Sequence, residues 1–173
     1  IPDKSIDMIL CDLPYGTTAC KWDTVIPFEP LWKEYERIIK PNGAIVLFGR
    51  EPFTASLIMS NVKNYKHKWV WNKKQSGSFQ TAKYMPLQID EDIIVFSYNR
   101  CNYYPIMSKG KMRKRGAAKE TNNAMGNNGL TVGFENYSDM YYPTNIYELA
   151  NPRLNKVHPT QKPVALFEYL INT

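Results

Sequence analysis

The amino-acid sequence predicts an α/β fold of the doubly wound type, and three observations carry that reading. Short apolar runs alternate with amphipathic helical patterns in the order strand, helix, strand, helix, strand between Ile6 and Tyr98. The apolar runs are nearly continuous rather than alternating, as in strands covered on both faces. Proline, glycine and asparagine stand between the periodic stretches, where turns are needed.

The elements follow in order. Ile6 to Cys11 is a mostly apolar run with the character of a buried parallel strand. Phe28, Leu31, Trp32, Tyr35, Ile38 and Ile39 recur at spacings of three and four, which predicts an amphipathic helix stopped by Pro41-Asn42-Gly43. Ala44 to Phe48 reads as the next strand. Pro52 opens a second helix with Phe53, Leu57 and Ile58 inward. His67–Trp71 and Asp92–Tyr98 read as two further strands. Residues 99–155 are rich in Asn, Gly, Tyr and Lys, with little periodicity, so they are expected to be an irregular and partly disordered insertion. From Pro163, the residues Val164, Leu166, Phe167, Leu170 and Ile171 resume a helical pattern.

Composition bounds the function. The 173 residues, 43% hydrophobic and 13% aromatic, suffice for one core. No apolar run approaches the roughly 20 residues that span a bilayer, and the start is no signal peptide. Cys11, Cys20 and Cys101 show no zinc-ligand spacing, so no metal is expected, and they read as free thiols of a cytoplasmic protein. A net charge of +6 favours an acidic partner, of which nucleic acid is the commonest. The chain opens without Met shortly before a strand and stops inside a helical pattern, as a piece of something longer would.

The informative segment is Cys11-Asp12-Leu13-Pro14-Tyr15-Gly16. It sets an acid, a proline and an aromatic just after a buried strand, at the sheet edge where ligands of open α/β folds bind. A plain strand-to-loop turn uses similar residues, but it gives no reason for the aromatic. Asp12-Leu13-Pro14-Tyr15 resembles the Asp-Pro-Pro-Tyr motif of methyltransferases that modify exocyclic amino groups. Continued through Gly-Thr-Thr to Lys21-Trp22-Asp23, it is similar to the phage and restriction-modification branch. Far downstream, Val157-His158-Pro159-Thr160-Gln161-Lys162-Pro163 resembles the motif that precedes the cofactor strand in the permuted, beta-type DNA methyltransferases. The resemblance covers residues 6–98 and 156–173, including Trp69–Lys73 and Pro86–Tyr98. Three departures stand out. Leu13 replaces a usual first proline, which should leave the loop less rigid. Asp90 stands where a histidine is expected. The Phe-x-Gly-x-Gly loop that follows the second motif in such enzymes is found nowhere in the chain.

The resemblance implies a Rossmann-like S-adenosylmethionine-dependent methyltransferase sheet, incomplete. Residues 1–98 would form its catalytic part, 99–155 the target-recognition insertion, and 156–173 the return to the catalytic domain. It also implies roles. The Asp12 carboxylate and the Leu13 carbonyl accept the amino hydrogens, Pro14 shapes the loop, and Tyr15 stacks on a base flipped out of double-stranded DNA. Asp12, Phe48, Thr160, Gln161 and Lys162 would border S-adenosylmethionine. For Thr160 a helix-capping role has equal weight, and for Phe48 with Gly49 a tight turn is the simpler account. An acid-first motif favours adenine N6 over cytosine N4. Without the glycine loop, this stretch by itself is expected to bind the cofactor weakly or not at all and to lack independent activity. Lys109, Lys111, Arg113, Lys114, Arg115 and Lys119 are expected to contact DNA phosphates, with neighbouring aromatics and asparagines at base edges. Two rival readings remain open: an RNA or protein-glutamine methyltransferase, against which Asp12 in place of Asn speaks, and a nucleic-acid-binding module without activity. The oligomeric state is not legible.

Overall fold

The structure, a computed structural model, describes residues 1–18, 20–76, 79–115, 136–151 and 161–173. It divides into two compact units, residues 1–104 with 144–173, and residues 105–143. The second unit is narrower than the insertion expected over 99–155.

The first unit is built on a five-stranded sheet. Its strands are β1 (Ile6–Cys11), β2 (Ile39–Gly49), β3 (Tyr65–Asn72), β4 (Asp90–Phe96) and a short strand at Ile146–Glu148, with helices α1 (Phe28–Ile38), α2 (Phe53–Ser60) and α3 (Val164–Ile171). The spatial order is β1, β2, β4, β3 and then the short strand. β1 runs parallel to β2 and the short strand parallel to β3, while β4 is antiparallel to both its neighbours. The sheet is therefore mixed, with β1 and the short strand as its edges.

Residues along β2 show why its apolar run is unbroken. Ile45 and Leu47 join Leu13, Trp32, Phe53, Leu57, Ile94 and Phe96 on one face. Val46 and Phe48 join Trp69, Trp71, Ile93, Val95, Leu166 and Leu170 on the other. Successive side chains of a strand point to opposite faces. A strand with α1 and α2 on one side and α3 on the other must therefore be apolar at every position. Trp32 anchors the α1 side by donating its indole N–H to the Ser60 hydroxyl at 2.8 Å.

Two local expectations are corrected. Helix α1 ends at Ile38, and Ile39 is already extended. The Pro41-Asn42-Gly43 signal marks instead an interruption of the β1–β2 ladder: Ile6 pairs with Ile39 but Met8 with Ala44. Gly43 is needed there, because a Cβ would come within 2.7 Å of both the Asp7 carbonyl and the Ile39 side chain. The second correction concerns the insertion. Residues 144–149 return to the main sheet, where the Trp71 indole donates to the Leu149 carbonyl at 2.8 Å. Within the second unit, β5 (Ser108–Arg115) and β6 (Asn136–Tyr141) form an antiparallel ladder where irregular chain was expected. With these labelled, the short strand of the first unit is β7 (Ile146–Glu148). No helix among the described residues is long and apolar enough to cross a membrane.

Candidate active site

Asp12 to Tyr15 follow directly on β1, at the carboxyl end of that strand. Leu13 is buried in the core beneath α1 and α2. Its side chain thus tethers the loop, supplying by burial the restraint that a proline ring would supply by geometry. Tyr15 stacks on Phe53 with ring centroids 5.0 Å apart, and its hydroxyl donates to Asp12 Oδ1 at 2.7 Å. Burial, followed by the negative charge of Asp12, pushes the phenol far above its ordinary range, so it remains a neutral donor.

The next residues are held by Asp23. Its carboxylate accepts the backbone N–H groups of Gly16, Thr17 and Thr18 at 2.9, 2.9 and 2.7 Å. The Thr18 hydroxyl and these amides hold its carboxyl at about 2, against an ordinary 3.8. Gly16 has a φ of +69°, a conformation that suits glycine. Asp23 therefore pins the loop leaving Tyr15, a role the sequence pattern did not expose.

Lys162, from the far end of the chain, completes the arrangement. Its ammonium lies 2.7 Å from Glu91 Oε2 and 3.1 Å from Asp12 Oδ2, with its side chain only 9% exposed. Lys73 meets the other Glu91 oxygen at 2.9 Å. The rings of Phe48, Tyr15 and Trp71 stand 5.1, 5.8 and 6.0 Å from the Lys162 nitrogen. Two carboxylates and two ammonium groups thus balance here, with Lys162, Lys73 and Glu91 largely buried and Asp12, 31% exposed, at the open side. Burial raises the Glu91 carboxyl, but Lys162 and then Lys73 outweigh it and leave it below the usual range.

The structure brings Asp12, Leu13, Pro14, Tyr15, Phe48 and Lys162 to one sheet edge, with Gln161 adjoining Lys162 in the chain. Phe48 is fully buried against Phe167 and reaches the site as a wall beneath the Lys162 ammonium. Thr160 and His158 lie outside the described residues. Glu91 and Lys73 join this charged group, and the sequence pattern gives neither a role. The signals in the sequence are that both fall within segments of the family resemblance and that Glu91 lies in an acidic run, Asp90-Glu91-Asp92, leading into an otherwise apolar strand. A cavity of about 270 Å³ by the start of β1, lined by Met8, His67, Trp69, Tyr103 and Leu170 among others, contains none of these residues. Among the described residues, no group of three His, Cys, Asp or Glu could hold a metal ion.

In the second unit, the ladder displays cations. Lys109 is exposed and 3.6 Å from Asp139. The Arg113 guanidinium lies 3.3 Å from the centroid of the Tyr141 ring, and the Tyr141 hydroxyl donates to the Lys111 carbonyl at 2.8 Å. Tyr141 also crosses Gly110, where a Cβ would come within 2.9 Å of the ring. Lys114 and Arg115 continue the strand, and Lys119 lies outside the described residues.

Residues 6–173 match the model of a family described as DNA methylase. Over 187 aligned residues the chain is 25% identical to the Type II methyltransferase M.HpaI of Haemophilus parainfluenzae, matching 99% of this chain and 54% of that protein. It therefore spans little more than half the length of that relative. Among solved structures, the M1.HpyAVI–SAM complex aligns with a TM-score of 0.54 at 18% identity, covering 96% of this chain and 66% of that one. The cytosine-N4-specific PvuII DNA methyltransferase aligns with a TM-score of 0.56 at 12% identity, covering 99% and 64%. At these identities the likeness shows a shared fold.

Proposed function

Because the chain belongs to the DNA methylase family, we propose that its protein transfers a methyl group from S-adenosylmethionine to an exocyclic amino group of DNA, adenine N6 in preference to cytosine N4. One observation carries the reading: Asp12 and Lys162, from the two separated motifs, meet at 3.1 Å beside Tyr15 at the carboxyl end of β1.

An exocyclic amine is a weak nucleophile because its lone pair is delocalised into the ring. Acceptors aimed at its hydrogens favour a tetrahedral nitrogen and stabilise the positive charge that grows as it attacks. The Asp12 carboxylate takes this role, with the Leu13 carbonyl as second acceptor and Pro14 shaping the turn. The Tyr15 hydroxyl orients Asp12 through Oδ1 and keeps a proton donor, not a competing anion, beside it. The Tyr15 ring, seated on Phe53, offers a stacking surface for a base drawn out of the duplex.

The residues present suit S-adenosylmethionine. The Asp12 carboxylate, 31% exposed, and the Tyr15 ring beside it are groups that suit a sulfonium, while the Lys162 ammonium bears the same charge and would stay with its carboxylates. Asp12, Gln161 and Lys162 would border the cofactor, with Phe48 as the wall behind and Thr160 at the motif's start. When bound, it supplies the electrophilic methyl group. Lys109, Lys111 and Arg113, continued by Lys114, Arg115 and Lys119, would bind DNA phosphates.

Full-length protein incubated with unmodified DNA and S-adenosylmethionine should yield N6-methyladenine on nucleoside mass spectrometry. N4-methylcytosine in its place would overturn the adenine preference, and neither product would overturn the transfer. Asp12→Ala should lower turnover by about 10²–10³-fold while DNA binding survives. Near-normal turnover would remove Asp12 from its role.

A further inference from the structure

Both Asp12 oxygens already have donors. Tyr15 serves Oδ1 at 2.7 Å and Lys162 serves Oδ2 at 3.1 Å. Each carboxylate oxygen has two lone-pair sites, so a substrate amino group can add to Asp12, but it meets a carboxylate whose charge Lys162 already draws on. The tyrosine contact is short and belongs to a ring packed on Phe53. The lysine contact is the longer one, and the same ammonium is drawn harder the other way, to Glu91 Oε2 at 2.7 Å. Glu91 is in turn fixed from its other oxygen by Lys73 at 2.9 Å, with both of those side chains 14% exposed. Nothing so far assigns Glu91 a part in the chemistry.

We infer that Glu91 is a positioning residue for amino-group methylation: it holds Lys162 back from full pairing with Asp12, leaving Asp12 Oδ2 able to accept the substrate's amino hydrogen. The inference rests on the function proposed above. With its side chain only 9% exposed, Lys162 deprived of its second carboxylate would close on the remaining one, because a buried ammonium seeks whatever anion is in reach. Asp12 would then be neutralised by a permanent cation and become a poor acceptor. Lys73 does not compete for Asp12; it meets only the far oxygen of Glu91. The order Lys73, Glu91, Lys162, Asp12 alternates in sign, so the charge on Glu91 sets how much of the Lys162 charge reaches Asp12.

The test uses the full-length protein and follows kcat, KM for DNA, and thermal stability together. Glu91→Gln keeps the shape and removes the charge. It should lower kcat by about tenfold or more while KM for DNA changes by less than about twofold. The decisive variant is Glu91→Gln combined with Lys162→Met. At saturating S-adenosylmethionine, with its KM followed as well because Lys162 borders the cofactor, removing the cation that now quenches Asp12 should raise kcat above that of Glu91→Gln alone. A purely structural role for Glu91 predicts the reverse, since each substitution would then add to the damage. The double variant also keeps the charges of the group balanced, with Asp12 against Lys73. Should Glu91→Gln not fold, Glu91→Asp carries the same comparison: its carboxylate falls short of Lys162, kcat should drop about threefold or more, and Lys162→Met in that background should restore part of it. Wild-type kcat in Glu91→Gln, or a double variant no faster than the single, overturns the inference and leaves the proposed function standing. A wild-type protein that methylates nothing overturns both.

Discussion

Lysine occurs in the two units under opposite conditions. In the first, Lys162 is 9% exposed and pinned between two carboxylates with three rings about it. In the second, Lys109 is 80% exposed and its nearest carboxylate stands at 3.6 Å. The buried ammonium has one geometry and cannot be moved without leaving an anion unpaired, so it suits a task that depends on ångströms. An exposed ammonium is screened by salt, keeps its rotamer freedom and contributes little to stability. It suits a task that depends on summed charge, such as following a phosphate backbone. A count of cations says little about function until burial separates them.

The largest expected effect belongs to the platform under the buried ammonium. Trp71 is fully buried, walls the Lys162 site and anchors Leu149 through its indole. Trp71→Ala should cost about 3–5 kcal/mol in chemical denaturation. A loss below about 1 kcal/mol would show that the wall is not part of the core. Next comes Gly43→Ala, which sets a methyl group against the Asp7 carbonyl and the Ile39 side chain at 2.7 Å. It should destabilise by about 1–3 kcal/mol, since that carbonyl belongs to the neighbouring strand and has little room to yield. An unchanged melting temperature would contradict the close approach of β1 and β2.

A third effect is a pH dependence. The carboxyl of Asp23 lies at about 2 in the folded chain, below its ordinary 3.8. A depressed folded value means that its contribution is fully present above about pH 4 and is lost as the pH falls toward 2. Wild-type stability should therefore decline over that window more steeply than that of Asp23→Asn. Parallel acid titrations of the two proteins would remove the loop-pinning role.

The smallest effect on stability, and the clearest on binding, belongs to the second unit. Lys109→Gln with Lys111→Gln should leave stability within about 0.5 kcal/mol. In the full-length protein the pair should weaken DNA binding similarly for every sequence. It should also flatten the salt dependence, by about one unit of slope for each phosphate no longer neutralised. A sequence-dependent weakening would instead put these lysines at base edges. An unchanged salt slope would remove them from the interface.

How much of this is legible in the sequence follows from the range of each interaction. Strand and helix identities come from periodicity, because a buried face imposes its repeat on the residues that form it. β1, α1, β2, α2, β3, β4 and α3 are all visible in that way, with ends that shift by a few residues. Asp12–Tyr15 stands out because an acid, a proline and an aromatic follow a buried strand. β7 is not visible: three residues docked edge-on to β3 carry no period of their own. Nor is the ladder of the second unit, whose strands are mostly polar and are separated in sequence.

Periodicity thus places the main strands and helices, and composition marks the acid-proline-aromatic turn after β1; that a second motif near the end goes with it is what the family resemblance implies. Only the tertiary structure decided that the sheet is mixed, that Asp23 pins the loop after Tyr15, and that Lys162 stands between Asp12 and Glu91 with Lys73 behind. The reason is physical. Local pattern records what each residue must do within its own turn or pleat. A buried charge is balanced by whichever groups the folded chain carries to within about 3–4 Å, the reach of an ion pair, and those groups lie far apart in sequence.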